Sequence, residues 1–104
     1  MQARDAAIRA ARRAWSMSQA GEAARWQRLA IDLAWKSGLP PREIATLALE
    51  YDEIAFLAGS DPDSIAIAQR VLDALTVLPD LSAADTDTIA LLYNMLGSAF
   101  FHAG

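Results

Sequence analysis

The chain contains no cysteine, so disulfides and thiolate metal sites are excluded, and its redox compartment leaves no mark on it. Histidine occurs once, as His102 near the C-terminus, with no carboxylate or nucleophile beside it in sequence. It reads as a surface residue of a chain end, not as a base or a ligand. Glycine and proline are scarce, five and four residues, and no glycine-rich phosphate loop is present. Long apolar runs are missing as well. The longest, residues 89–103, is interrupted by Asn94, Ser98 and His102 and is too short to span a bilayer. The N-terminus lacks the apolar core of a signal peptide. These absences together predict a cytoplasmic protein without a membrane segment.

What remains is rich in alanine, 54% hydrophobic and 21% charged, which excludes a disordered segment. Its 104 residues suit one domain with a usable core. Alanine abundance with few breakers predicts an all-α fold with small residues at the helix contacts. The net charge of −4 is unevenly spread. Residues 1–42 hold eight Arg or Lys against three acids, +5, and residues 43–104 hold Arg70 against ten acids, −9. A basic end that meets an acidic end, within the molecule or between copies, is the sharper reading of this split.

No catalytic constellation emerges. Glu50, Asp52 and Glu53 point in different directions from one helix and read as a solvated face, not a metal patch or an acid–base pair. Asp61-Pro62-Asp63 lacks the further acids and closing Glu of a calcium loop and reads as a helix cap. Arg9, Arg12 and Arg13 near Trp15 could meet phosphates, but the acidic balance argues against nucleic acid as a partner. The expectation is a non-enzyme with no cofactor and no metal.

Helical periodicity predicts five helices. The first, over 3–19, carries a stripe of Ala7, Ala10, Ala11, Ala14 and Ser18, with Gly21 as its stop. The second, over 22–37, places Ala23, Trp26, Ala30, Leu33 and Ala34 on one face, and Ser37 to Pro41 breaks it. In the third, over 41–58, Ile44, Leu47, Ala48, Tyr51, Ile54 and Ala55 form a broad apolar face, with Ala45, Leu49 and Phe56 as a second stripe. Asp61 and Pro62 open the fourth, which runs to about Leu78 with Ile65, Ala68, Val71, Leu72, Leu75 and Leu78 inward. The fifth, over 85–104, has Ser82 or Asp85 as its cap and an apolar face of Ile89, Leu92, Tyr93, Met95, Leu96, Ala99, Phe100 and Ala103. Gly97 lies inside it, where glycine costs about 1 kcal/mol relative to alanine, which predicts close approach of a neighbouring helix.

Tyr93, Leu96, Gly97, Ala99, Phe100, Phe101 and Gly104 resemble the first helix of a tetratricopeptide repeat: aromatic, Leu-Gly, small, Ala, aromatic pair, turn glycine. One extra residue separates Tyr93 from Leu96. Ala74-Leu75, Val77 and Pro79 resemble the end of that family's second helix. The resemblance covers residues 63–104 well and residues 1–58 in outline. The marker spacing, 39 residues from Pro40 to Pro79, exceeds the roughly 34 of that class.

The resemblance implies antiparallel helical hairpins, over 3–37 and 41–78 with a half-hairpin over 85–104, stacked as a right-handed solenoid in a single domain. It also implies a concave face, lined by the first helix of each hairpin, that binds a peptide or partner protein. On that face fall Arg12 and Trp15 of the first helix, Leu49, Glu53 and Phe56 of the third, and Asn94, Ser98 and Phe101 of the fifth. Family members that clamp a C-terminal carboxylate use Lys, Arg and Asn. Here the third and fifth helices hold no Lys and only Arg42, so that mode is not implied. The apolar face of the last helix lacks a cover. This predicts that the chain is the N-terminal part of a longer array, or that a homo-oligomer forms through residues 85–104. A small dimeric regulator or chaperone that shields a client on this face is the alternative function.

Overall fold

The computed structural model describes residues 3–58 and 63–103, with side chains for 3–57 and 63–98. It is all-α. Five helices follow one another, α1 (Ala3–Ser16), α2 (Ala20–Lys36), α3 (Pro41–Ala58), α4 (Asp63–Thr76) and α5 (Ala83–Ala103), and no strand occurs among the described residues. The molecule is a slab of 39 × 39 × 20 Å. Its thin dimension holds two helix layers, since a helix with its side chains is about 10–12 Å across.

Helix ends follow from local chemistry. After α2, Gly38 takes φ +76, donates to the Trp35 carbonyl, and lets Leu39 N–H reach the Ala34 carbonyl at 3.0 Å. This is the left-handed stop that glycine adopts without strain. After α1 the same hydrogen-bond pattern recurs, Ser18 to Trp15 and Gln19 to Ala14, but a serine holds the left-handed position, at φ 58. Gly21, the expected stop, lies instead within the first turn of α2. Pro41 opens α3, where its missing N–H is harmless, and the Pro40 carbonyl accepts from Glu43 and Ile44. The expected roles of Asp61 and Pro62 lie outside the described residues.

α5 starts at Ala83, two residues earlier than expected, because Ser82 and Asp85 form a reciprocal cap. The Asp85 N–H donates to Ser82 Oγ at 3.1 Å, and the Ser82 N–H donates to Asp85 Oδ2 at 2.9 Å. Asp85 is buried, and its carboxylate also accepts from Arg42 Nε at 2.9 and 3.1 Å. Arg42 Nη2 reaches the Asp80 carbonyl and carboxylate as well. A first-turn residue of α3 thus grips the first turn of α5, so these two helices begin side by side.

The core is built around α3, which packs against α2, α4 and α5. Ile44, Leu47, Ala48, Tyr51 and Ala55 meet Ile31 and Ala34 of α2, Val71, Leu72 and Leu75 of α4, and Leu92 and Met95 of α5. The face read from periodicity for α3 is the buried face. α5 turns most of its expected face inward, with Ile89 and Leu96 also packed on the core, but Tyr93 falls outside it. Asp85 turns inward, and the helical repeat then buries Leu92 and Met95 and leaves Tyr93 57% exposed. Gly97 has no close neighbour among the described residues: a Cβ there would meet none of them within 4 Å. The expected helix approach at that residue is therefore absent.

α1 buries only Ala7, Ala11 and Ala14. With Ala23, these methyl-sized side chains let α1 and α2 lie close. The basic and acidic halves meet within the molecule, through Arg28–Asp63 at 2.9 Å and through Arg42 with Asp80 and Asp85. Arg70 of α4 also stacks over Trp35 of α2, 4.4 Å from the ring centroid.

Candidate functional site

A cavity of about 200 Å³ lies among α1, α2 and α3, lined by Ala11, Arg12, Trp15, Gln27, Glu50, Glu53 and Ile54. It exists because the α1 wall offers small residues at its base. Ala11 is 1% exposed and Ala14 6%, so α1 sits low against α2, and Trp15 and Arg12 stand at its edge. One turn and a half of α3, from Glu50 to Ile54, makes the opposite wall. A volume of ~300–1,000 Å³ is usual for a small-molecule pocket. The cavity here is smaller and has room for one side chain.

Its floor is Gln27, only 1% exposed. Gln27 Nε2 donates to the Leu47 carbonyl at 3.1 Å and to Glu50 Oε2 at 3.3 Å. A buried amide left without partners would cost about 1–3 kcal/mol, so these bonds are what permit its place in an apolar layer. They also tie α2 to α3 and restrict the Glu50 carboxylate to one orientation. Glu50 is half-buried and Glu53 exposed. Arg12 and Glu53 form no hydrogen bond or ion pair with one another or with other described residues. The cavity therefore carries two carboxylates, one guanidinium and the rim of an indole.

Three of the eight sequence-derived site residues, Arg12, Trp15 and Glu53, come together around this space. Leu49 is half-buried against the main core and Phe56 is 74% exposed, both on α3 but off the cavity wall. Asn94 and Ser98 are exposed on α5, away from the cavity. Phe101 belongs to α5, but its side chain lies outside the described residues. Glu43, Thr46, Glu50, Glu53 and Leu57 share one turn-spaced outer face of α3.

Sequence reasoning missed Gln27, Glu50, Ala11 and Ile54. Gln27 was findable: Ala23, Gln27, Ala30 and Ala34 follow one another at spacings of four, three and four, the pattern of a helix seam. Glu50 was read only as part of a solvated acidic face. Its half-burial depends on Gln27, which lies 23 positions away and sends no local signal.

Among the described residues no group of three or more His, Asp or Glu is placed to hold a metal ion, and no helix is long and apolar enough to cross a membrane. The strongest electrostatic perturbation lies away from the cavity. Asp85 is lowered from 3.8 to about 2, first by the hydrogen bond from Arg42 and next by the Ser82 backbone N–H, with desolvation opposing both. Arg42 is raised in turn by Asp85 and then Asp80. This cluster joins helix starts and is structural. No family model, curated protein or solved structure matches the chain.

Proposed function

We propose that this chain is a non-enzymatic interaction module of tetratricopeptide type, which holds a peptide segment of a partner protein along the face shared by α1, α3 and α5. In this reading α1–α2 and α3–α4 are successive hairpins and α5 is the first helix of a third. The observation that carries it is the cavity between α1 and α3, the first helices of consecutive hairpins, where Arg12, Trp15 and Glu53 meet. Two further features support the stack. α3 packs on α5, and Arg42 to Asp85 sets their starts side by side. The floor is a buried, hydrogen-bonded Gln27, the rim mixes an indole with charged groups, and Phe56 and Leu57 continue it with exposed apolar surface. Such a surface suits a peptide's alternating needs for apolar contact and polar anchoring.

The test is selection of binding peptides from a displayed random library on the full chain, followed by titration against Trp15→Ala and Phe56→Ala. Loss of affinity of about tenfold in Trp15→Ala is expected, since a central aromatic anchor carries an outsized share of the binding energy. Selected peptides that bind both variants as tightly as the parent would remove the groove from the proposal.

A second reading rests on α5, where Leu91 is 53% and Tyr93 57% exposed. These suit pairing of two copies through residues 85–104. Sedimentation of the parent and of Leu91→Ser/Tyr93→Ser decides it: a monomeric parent at every concentration ends that reading.

A further inference from the structure

The cavity's charge selects its occupant. Two carboxylates, Glu50 and Glu53, line it against a single guanidinium, Arg12, so its balance is negative. Glu43 extends the same sign along the outer face of α3, while α1 and α2 belong to the basic half of the chain, so the attraction is local to the α3 wall. An acidic segment approaching this groove is repelled, and a basic one is drawn in.

We propose that the groove binds a basic segment, which inserts one Lys or Arg side chain between Trp15 and the Glu50–Glu53 pair and lays an apolar residue on Phe56 and Leu57. This rests on the reading of the groove as a peptide site and names the class of peptide. Each part of such a segment meets a matching group of the groove. The volume of about 200 Å³ takes one long side chain. The alkyl stem of that side chain fits the apolar wall of Ala11 and Ile54, while its cationic head meets carboxylates and the indole. Glu50 is set in advance, because Gln27 occupies one of its acceptor positions and leaves others open. Glu53 has no hydrogen bond or ion pair to give up among the described residues. Phe56, at 74% exposure, and Leu57, at 65%, lie one turn further along α3 and supply the apolar contact. Arg12 is then the groove's own competitor for its carboxylates, not an anchor for the ligand.

The experiment is fluorescence anisotropy of three labelled short peptides with one apolar pattern and Lys, Gln or Glu at the polar positions, titrated with the full chain. The Lys peptide is expected to bind about tenfold more tightly than the Gln peptide, and the Glu peptide more weakly still. Glu50→Gln/Glu53→Gln lowers Lys-peptide affinity about fivefold to tenfold, and Arg12→Gln raises it about twofold to fivefold. Gln keeps an acceptor for Gln27, and circular dichroism of each variant checks that the fold is retained. Equal binding of the Lys and Gln peptides overturns the basic preference while the groove reading stands. Lys binding that ignores the glutamate substitutions overturns it too, as bulk charge alone. Absence of binding by all three peptides sinks this inference, while the library selection separately decides the groove. A dimer that buries the groove and that the Lys peptide does not disperse also overturns it, with a second copy as the occupant.

Discussion

Lowering the pH through the carboxylate range tests the joint between α3 and α5. Asp85 titrates at about 2 in the folded chain against 3.8 for an ordinary aspartate. The folded value is the depressed one, so the stabilisation is fully present above about pH 4 and is lost as pH falls toward 2. At pH 3 this carboxyl is about 85% protonated in the unfolded chain and about 10% in the folded one, so unfolding takes up about 0.8 proton at this residue. The comparison is with Asp85→Asn, which keeps the shape and an acceptor for Ser82 and Arg42 but carries no charge. Thermal unfolding followed by circular dichroism at steps between about pH 6 and pH 2 gives both Tm curves. The variant melts below the parent at the upper end, and the two curves converge near pH 2. Curves that stay parallel across the whole range would refute the coupling of Arg42 and Ser82 to Asp85.

Other substitutions test other parts of the fold. Gly97→Ala should stabilise the chain by about 1 kcal/mol, raising Tm by about 4–8 °C, because the added methyl meets open space and removes a helix-interior glycine. A fall in Tm would place an unseen neighbour there. Ser18→Gly relieves the left-handed residue after α1 and should add about 1 kcal/mol in urea unfolding; no gain would mean that the serine is unstrained. Leu75→Ala, fully buried between α4 and α3, should lose about 2–5 kcal/mol, whereas Phe56→Ala should change stability by less than about 0.5 kcal/mol. A large loss for Phe56→Ala would assign it to the core instead of the groove.

The helices and the inward face of α3 were legible because both follow from a period of 3.6 and from breakers placed between runs. Helix phase and the exact stops were less so. A glycine is the natural stop, yet the chain uses Ser18 after α1 and carries Gly21 inside α2, because the hydrogen-bond pattern and not the residue type fixes the end. Tyr93 is apolar enough for the inward face but lies outside it, because α5 is fixed at its start by a charged residue turned inward toward Arg42. That is a contact across 43 positions, which periodicity within one helix cannot register. Three residues of the cavity's rim, Trp15, Arg12 and Glu53, were legible because they are large or charged. Its floor escaped notice, since a buried glutamine is visible only through the partners that satisfy it.

The alanine seam of α1 has a mechanical consequence. Methyl groups allow a near approach but remove little apolar area from water, so α1 is held over many points and weakly at each. α3, by contrast, is pinned by Ile44, Tyr51 and its bond from Gln27. Amide exchange is therefore expected to run faster along α1, which carries Trp15, than along α3, which carries Glu53. If the cavity takes a side chain as proposed, the wall expected to yield is the alanine-backed one of α1.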